Sequence, residues 1–512
     1  MTFDETSPAE EPPSRGPLEP SRGPLEPSRV ESRIPPHVGR LLARLWSDGQ
    51  AAYVVGGSVR DALLGRPGFD WDIATSARPE RILELFPGSH YENRFGTVLV
   101  MAGQGPVEIT TFRSDHTYGD HRRPDAVTFT DSLELDLGRR DFTINALAWG
   151  REGGENGPPP RLVDIGGGVD DLRAGMIRAV GDAGARFGED ALRLIRAARL
   201  AGQLDFTIEP ATREAMERRA DDVRHVSPER IGQELRKLLR GDHPSRGLSI
   251  LADTGLLDRA LPELAEQRGV PQDKAKGADC WEHTLATVDA AAALSRGRAE
   301  LPRGGVELLP LAALFHDAGK PRALADGRFP EHQQIGAEMA DRGLRRLAFP
   351  RAEIVQVVRL IRHHMFSYGP SWSDAAVRRF VQRVGPDLWE DLLRLRAADA
   401  AGSGGPAADA GLVELRARIE RELERGFPLR VTDLAVDGDD LRREFDLPEG
   451  PLIGKLLARL LDSCTADPSR NTRRQAFVDA RSWLPDLLDG GSAGIGGADE
   501  GSGGSPGGAT AP

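Results

Sequence analysis

Cysteine is nearly absent: Cys280 and Cys464 stand alone in 512 residues, far apart and in no metal-ligand spacing. That scarcity excludes a disulfide framework and makes a reducing cytoplasm the expected setting. No apolar run approaches the ~20 residues of a membrane helix, so no membrane partner is expected. The N-terminus is acidic and proline-rich, without a signal-peptide pattern. Basic charge is also in deficit, 67 Lys and Arg against 79 Asp and Glu, for a net charge of −12. This balance excludes a surface coated in positive charge for non-specific nucleic-acid binding, and leaves a local basic track open. The length allows several domains. The oligomeric state is not legible.

Residues 1–34 are rich in Pro, Glu and Ser and carry a tandem S-R-G-P-L-E-P at 14–20 and 21–27. Such a segment buries too little apolar surface to order itself and is expected to be a disordered arm. The Gly-rich stretch 487–512 is expected to behave alike. Strand and helix patterns alternate to about residue 180, and helical periodicity dominates beyond it. Breaks at Gly269–Gly277 and Ala400–Gly411 mark domain edges. The expected division is a mixed α/β head over 35–178, a helical neck and body over 179–270, a further helical domain over 271–405 and a helical tail over 412–486.

The densest chemistry lies in V-V-G-G-S-V-R-D-A-L-L-G-R-P-G-F-D-W-D-I-A-T, residues 54–75. A β-branched run breaks at Gly56-Gly57-Ser58 and enters a short helix pattern, and a second strand follows with Asp70 and Asp72. Residues two apart on a strand share a face, so both carboxylates converge opposite a glycine turn whose free N–H groups suit phosphate. That combination holds divalent metals against a nucleoside triphosphate. Glu108, on the next strand pattern (107–112), reads equally as a third carboxylate or as a solvent-facing residue. Residues 113–125 are too charged for a packed element and read as a loop able to close over substrate. In R-R-D-F-T-I-N-A (139–146), Arg140, Asp141 and Asn145 suit triphosphate and ribose hydroxyls, and Asp141 equally suits a helix N-cap. A helix pattern over 181–201 carries Asp190 and Arg193 three apart, on one face. They form either an ordinary surface pair or one acceptor and one donor fork for a base edge.

These motifs, with D-I-G-G-G-V-D-D-L and E-D-A-L-R-L-I-R, resemble the class II tRNA nucleotidyltransferases, the CCA-adding enzymes of the polymerase β-like superfamily. The resemblance covers about residues 45–250. It implies that Asp70, Asp72 and Glu108 form the catalytic set, with Asp70 and Asp72 on Mg²⁺. Gly56, Gly57, Ser58, Arg60 and Arg140 contact phosphates, Asp141 with Asn145 meets the ribose, and Asp190, Arg193 and Arg196 belong to the nucleotide site that selects CTP and then ATP. It further implies template-independent addition or repair of the tRNA 3′ end, with the tRNA acceptor stem, CTP and ATP as partners. Bacterial poly(A) polymerases share the first motifs and are the nearest rival, with partial CC- or A-adding enzymes beside them.

A second constellation follows. His283, His316-Asp317, His332, His363-His364 and Asp399 crowd one helical region of a chain with 11 histidines. A His-Asp pair after an apolar run, flanked by more histidines, reads as metal ligands. The order H…H-D…D resembles the HD phosphohydrolases and implies His283, His316, Asp317 and Asp399 as ligands, His332 and His364 as second-metal ligands, and Lys320 as a phosphate contact. A divalent transition metal or Mg²⁺ and a phosphatase or phosphodiesterase activity follow from it. A phosphohydrolase with an RNA-binding head is the rival of another class. The arginines at 342–362, and Arg470, Arg473, Arg474 and Arg481, read either as RNA tracks or as solvated helix faces.

Overall fold

The computed structural model describes residues 25–66, 70–93, 96–103, 105–116, 126–154, 157–272, 279–296, 305, 308–405 and 409–489. Among the described residues, nine strands build the two sheets of the head: β1 (Ala52–Val55), β2 (Asp72–Thr75), β3 (His90–Asn93), β4 (Thr97–Met101), β5 (Pro106–Thr111), β6 (Arg113–His116), β7 (Ala126–Phe129), β8 (Leu147–Arg151) and β9 (Arg161–Asp164). Seven form one mixed sheet in the order β3-β4-β5-β2-β1-β8-β9, and β6 pairs with β7 apart from it. β2 and β5 run parallel, and β1 lies antiparallel between β2 and β8.

Strand alternation sorts the core. Tyr53, Val55, Ala74 and Ala148 cluster with Phe112 on one face, where Leu133 and Leu137 of the helix Leu133–Gly138 cover them. Val54, Ile73 and Ile109 turn to the other face and are fully buried. There the helices Pro36–Ser47 and Pro79–Leu85 pack on the sheet through residues such as Leu45 and Ile82. Each such side chain contributes roughly 1.5–3 kcal/mol by leaving water.

Two expectations about the ends need correction. Residues 28–33 of the expected arm form a helix, because Val30 is buried and two arginines reach carbonyls near the end of the helix Gly57–Leu63. Arg29 donates to Leu63 O at 3.4 Å and Arg33 to Arg66 O at 3.0 Å. The last helix, Arg473–Asp489, continues past 486. The tandem repeat up to residue 24, the segment 490–512, and residues 117–125 of the expected closing loop lie outside the described residues.

Beyond the head the chain is almost wholly helical, as the sequence pattern leads one to expect. The described residues fall into two compact units, one reaching Ile361 and including Ala401–Gly404, the other holding Arg362–Ala400 and the chain from Gly405. In the first, the helix Leu192–Leu204 packs on Pro228–Leu239 and Pro244–Asp253, with the buried pair Arg199–Glu234 at 2.5 Å. In the second, Leu441, Leu456, Leu460 and Ala480 form a core. There the buried Arg378 pairs with Glu422 and donates to Thr465 O (2.6 Å) and Ala466 O (2.7 Å). A cation thus closes the C-terminal end of the helix Pro451–Ala466, where the helix dipole is negative.

Candidate functional site

Val55 at the end of β1 pairs with Asp72 at the start of β2. The turn Gly56-Gly57-Ser58 therefore leaves the sheet at the end where the carboxylates arrive. Gly56 has φ +81°, open to glycine, and a Cβ there would stand 2.9 Å from an Arg140 nitrogen. The turn is bare backbone over a guanidinium. Gly57 opens the helix Gly57–Leu63, and the Ser58 hydroxyl donates back to Val55 O at 3.2 Å, so it is spent on the turn.

β2 opens at Asp72; Asp70 precedes it, contrary to the expectation that both stand on the strand. The cause is local: β1 ends at Val55, and the chain turns away before it could pair with residue 70. Both aspartates are exposed. The parallel register sets Ile73 opposite Ile109, which brings Asp72 and Glu108 level on one face. Crowding by protein, then the Glu108 carboxylate, push the Asp72 carboxyl up to about 6, and Arg140 opposes them. Carboxylates that raise one another's proton affinity make an oxygen donor set that fits a divalent cation.

A chain of polar contacts runs behind this edge. Arg60 forks onto Asp61 at 2.8 and 2.9 Å and donates to Asn145 Oδ1 at 2.6 Å. Asn145 donates to Asp141 at 3.1 Å, and Asp141 accepts the Phe142 N–H and pairs with Arg196 at 3.0 Å. Burial alone would raise the Asp141 carboxyl; Arg196 and Arg193 hold it below the usual range.

The helix expected over 181–201 is broken. Ala183–Glu189 and Leu192–Leu204 are separate, and Asp190 between them is extended at φ −149°, ψ 104°. Its carboxylate accepts the Leu192 N–H, as an N-cap does, which ends one helix and starts the next. Asp190 and Arg193 are therefore not on one helical face. Arg230 grips Asp190 at 2.7 and 3.1 Å, whereas Arg193 donates to Glu189 (2.6 Å), Arg186 O (2.9 Å) and Arg139 O (3.0 Å).

The D-I-G-G-G-V-D-D-L motif has a positioning part that the sequence does not reveal beyond its Asp-Gly turn signal. Asp164 accepts the N–H groups of Gly166, Gly168 and Val169, and Asp171 accepts from Thr143 Oγ1 at 2.6 Å and from Arg178. It clamps the R-R-D-F-T-I-N segment.

The second constellation is built differently. In the first unit, His316 follows the fully apolar helix Leu308–Phe315 and is buried with Asp317, His283 and His332. His316 Nδ1 faces Ala313 O at 2.7 Å and His332 Nδ1 faces Phe329 O at 2.8 Å. Donation there leaves each Nε2 lone pair for a metal. His316 Nε2 lies 3.3 Å from His283 Nε2 and 3.1 Å from an Asp317 oxygen, and His332 Nε2 lies 3.5 Å from the other oxygen. Burial pushes the His332 imidazole below its ordinary value. Facing imidazole lone pairs around one carboxylate fit a bound cation. Lys320 Nζ lies 2.5 Å from Asp317 Oδ2 and over the Phe329 ring. A Cβ on Gly319 would strike His332 O and Gly336 N, so this loop seats directly on the helix His332–Arg346. In the second unit, His364 and Asp399 are buried, and Asp399 pairs with Arg396 at 2.6 Å.

Several arginines of the two candidate basic tracks pair with carboxylates within their own units. Arg345 pairs with Asp341, Arg346 with Glu263, Arg470 with Asp479, Arg473 with Asp440 and Arg481 with Glu444.

Family comparison decides what kind of head this is. Residues 52–178 match the poly A polymerase head domain, 205–268 the probable RNA and SrmB-binding site of polymerase A, and 280–401 the HD domain. Residues 52–178 thus carry a head of the poly A polymerase head-domain kind. The CCA-adding enzyme of Geobacillus thermodenitrificans is 45% identical over 228 residues, 44% of this chain and 54% of that one. That of Levilactobacillus brevis is 48% identical over 221 residues, 43% of this chain and 54% of the relative. The chain thus spans about half the length of the curated relatives it matches. A crystal structure of Bacillus stearothermophilus CCA-adding enzyme in complex with CTP superposes with TM-score 0.67 at 29% identity, covering 89% of this chain and 100% of that one. The Thermotoga maritima CCA-adding enzyme complexed with tRNA, TM-score 0.54 at 19% identity over 89% of this chain and 98% of that one, shares the fold alone. Nucleotidyltransferase and HD domains generally use divalent metals. Among the described residues no helix is long and apolar enough to cross a membrane.

Proposed function

We propose that this protein adds or repairs the 3′-terminal CCA of tRNA, using CTP and ATP and releasing pyrophosphate. The observation that carries this is the Val55–Asp72 pairing, with a bare glycine turn over Arg140 beside a carboxylate cluster. Asp70, Asp72 and Glu108 hold divalent cations, and an exposed all-oxygen set suits Mg²⁺. Bound there, the metal supplies activation of the tRNA 3′-hydroxyl and charge stabilisation at the leaving pyrophosphate. The chain's own task is binding and orientation. Gly56 donates its own N–H to Leu147 O and serves as the bare turn; the N–H groups of Gly57 and Ser58, with Arg60 and Arg140, grip the triphosphate. Asp141 and Asn145 take the ribose, and Arg196 steadies Asp141. Asp190 accepts from the amino group that cytosine and adenine share, and Arg193 donates to their ring acceptors; guanine and uracil invert that pattern.

In this assignment residues 35–178 are the head, 179–270 hold the acceptor stem by shape and phosphate, 271–405 are the HD domain and 412–486 a tail. A tRNA substrate makes the cytoplasm its place of work. The HD domain is a phosphatase or phosphodiesterase acting on phosphomonoesters or 2′,3′-cyclic phosphates. His283, His316, Asp317 and His332 hold its metal, joined on sequence order alone by His364 and Asp399. Imidazole donors favour a transition metal over Mg²⁺.

The test supplies Mg²⁺ and a tRNA ending at the discriminator base with CTP, ATP or both, and reads product length on a sequencing gel. Growth by CC with CTP and by CCA with both is the expected result. A long A-ladder with ATP alone moves the protein to the poly(A) polymerases, a reading that the head-domain match keeps in play. No extension, with Asp70→Ala behaving alike, leaves a phosphohydrolase with an RNA-binding head.

A further inference from the structure

The geometry points to Arg230 as a positioning residue for base selection: its fork holds the Asp190 carboxylate in the one orientation that presents a single acceptor to the incoming base. This rests on the assignment of Asp190 and Arg193 as base readers, proposed above. Asp190 stands in a break between two helices, where its extended backbone does nothing to fix the side chain. The Leu192 N–H holds one oxygen, Oδ1, at 3.1 Å. A carboxylate held at one oxygen still swings about that contact.

Arg230 removes the freedom. It lies 40 residues away in the first turn of the helix Pro228–Leu239, and its two terminal nitrogens meet Oδ1 at 3.1 Å and Oδ2 at 2.7 Å. A planar fork on both oxygens sets the carboxylate plane as a point charge does not. The capacity count also fits. A carboxylate has about four acceptor sites; three are taken here, two on Oδ1 and one on Oδ2. One Oδ2 lone pair remains, which is what one exocyclic amino group needs. Arg193 is treated alike: three of its contacts go to Glu189, Arg186 O and Arg139 O, and the remaining N–H groups serve ring acceptors. Without the fork, Asp190 turns, its lone pair no longer opposes the amino position, and a carbonyl there is no longer repelled. Uracil and guanine are then admitted.

A residue that merely fastened the body helix would change stability or overall rate, and would leave base discrimination intact. The test uses the full chain, tRNA ending at the discriminator base or at CC, and single-turnover incorporation of CTP against UTP and of ATP against GTP. It compares wild type with Arg230→Lys, Arg230→Gln and Asp190→Asn, with a thermal melt of each. Arg230→Lys keeps the charge and most of the stem, so it folds even where the glutamine variant does not. Both ratios are expected to fall on the order of 10- to 100-fold in Arg230→Lys, with Mg²⁺ dependence unchanged. Wild-type ratios in Arg230→Lys together with a lowered ratio in Asp190→Asn overturn the role of Arg230 and leave Asp190 as a base reader. Wild-type ratios in Asp190→Asn as well overturn the base-reader assignment and this inference with it.

Discussion

The two candidate metal centres solve one electrostatic problem in opposite ways. The head gathers exposed carboxylates at the rim of a sheet, where water and substrate phosphates can complete a metal's shell. The HD constellation buries imidazoles and one carboxylate behind an apolar helix. Oxygen donors open to solvent suit a hard cation that comes and goes with the triphosphate. Nitrogen donors fixed by second hydrogen bonds to Ala313 O and Phe329 O suit a cation that stays. Glycine also serves the two differently: Gly56 leaves a guanidinium uncovered for a ligand, and Gly319 lets two backbones touch.

The largest effect expected is on the head alone. Asp72→Asn should cut nucleotide addition by at least about 10²–10³-fold while metal content at the HD ligands, read by elemental analysis, stays at the wild-type level. A parallel loss of HD metal would mean that the centres are not separate. Next comes the glycine pair. Gly319→Ala forces a Cβ into fixed backbone and should cost about 1–3 kcal/mol or more, seen as a lower Tm. Gly56→Ala should spare the HD metal and lower nucleotide addition, since its added Cβ meets Arg140. Equal losses of stability would erase the contrast between a ligand turn and a packing contact.

A smaller effect follows from protonation. Asp72 titrates at about 6, above its ordinary 3.8, so the folded state favours its neutral form. Its contribution to stability is present below the ordinary value and lost as pH rises through 6. The Tm of metal-free protein should therefore fall slightly between pH 4 and 7, and saturating Mg²⁺ should flatten the slope. Apparent Mg²⁺ affinity should weaken by about tenfold per pH unit below 6, as expected when one proton competes with the metal. The smallest effect tests Glu108: Glu108→Gln removes the like charge and should bring the pH dependence toward that of an ordinary aspartate. An unchanged profile would leave crowding by protein and the Asp70 carboxylate, rather than Glu108, as the cause.

Local pattern carried much of this molecule. The Gly56-Gly57-Ser58 turn, the strand opening at Asp72 (though not Asp70 upon it), the His316-Asp317 pair after an apolar run and the shift from mixed α/β to helix were all legible, because each depends on residues within a few positions of one another. Strand alternation and glycine's conformational freedom act at that range. The rest depends on partners tens of residues away. Glu108 joins Asp72 only through the parallel β2–β5 register, and periodicity cannot tell which strand pairs with which. The helix over 181–201 looked continuous because its apolar spacing is continuous; the Asp190 carboxylate, capping Leu192 and gripped by Arg230, breaks it. The helix Ser28–Arg33 is held by carbonyls at Leu63 and Arg66, beyond any window that reads its own polar composition. Residue types and local backbone therefore specified which chemistry the chain carries. Long-range pairing specified how those groups are aimed, since orientation comes from hydrogen bonds and register that form only when distant segments meet.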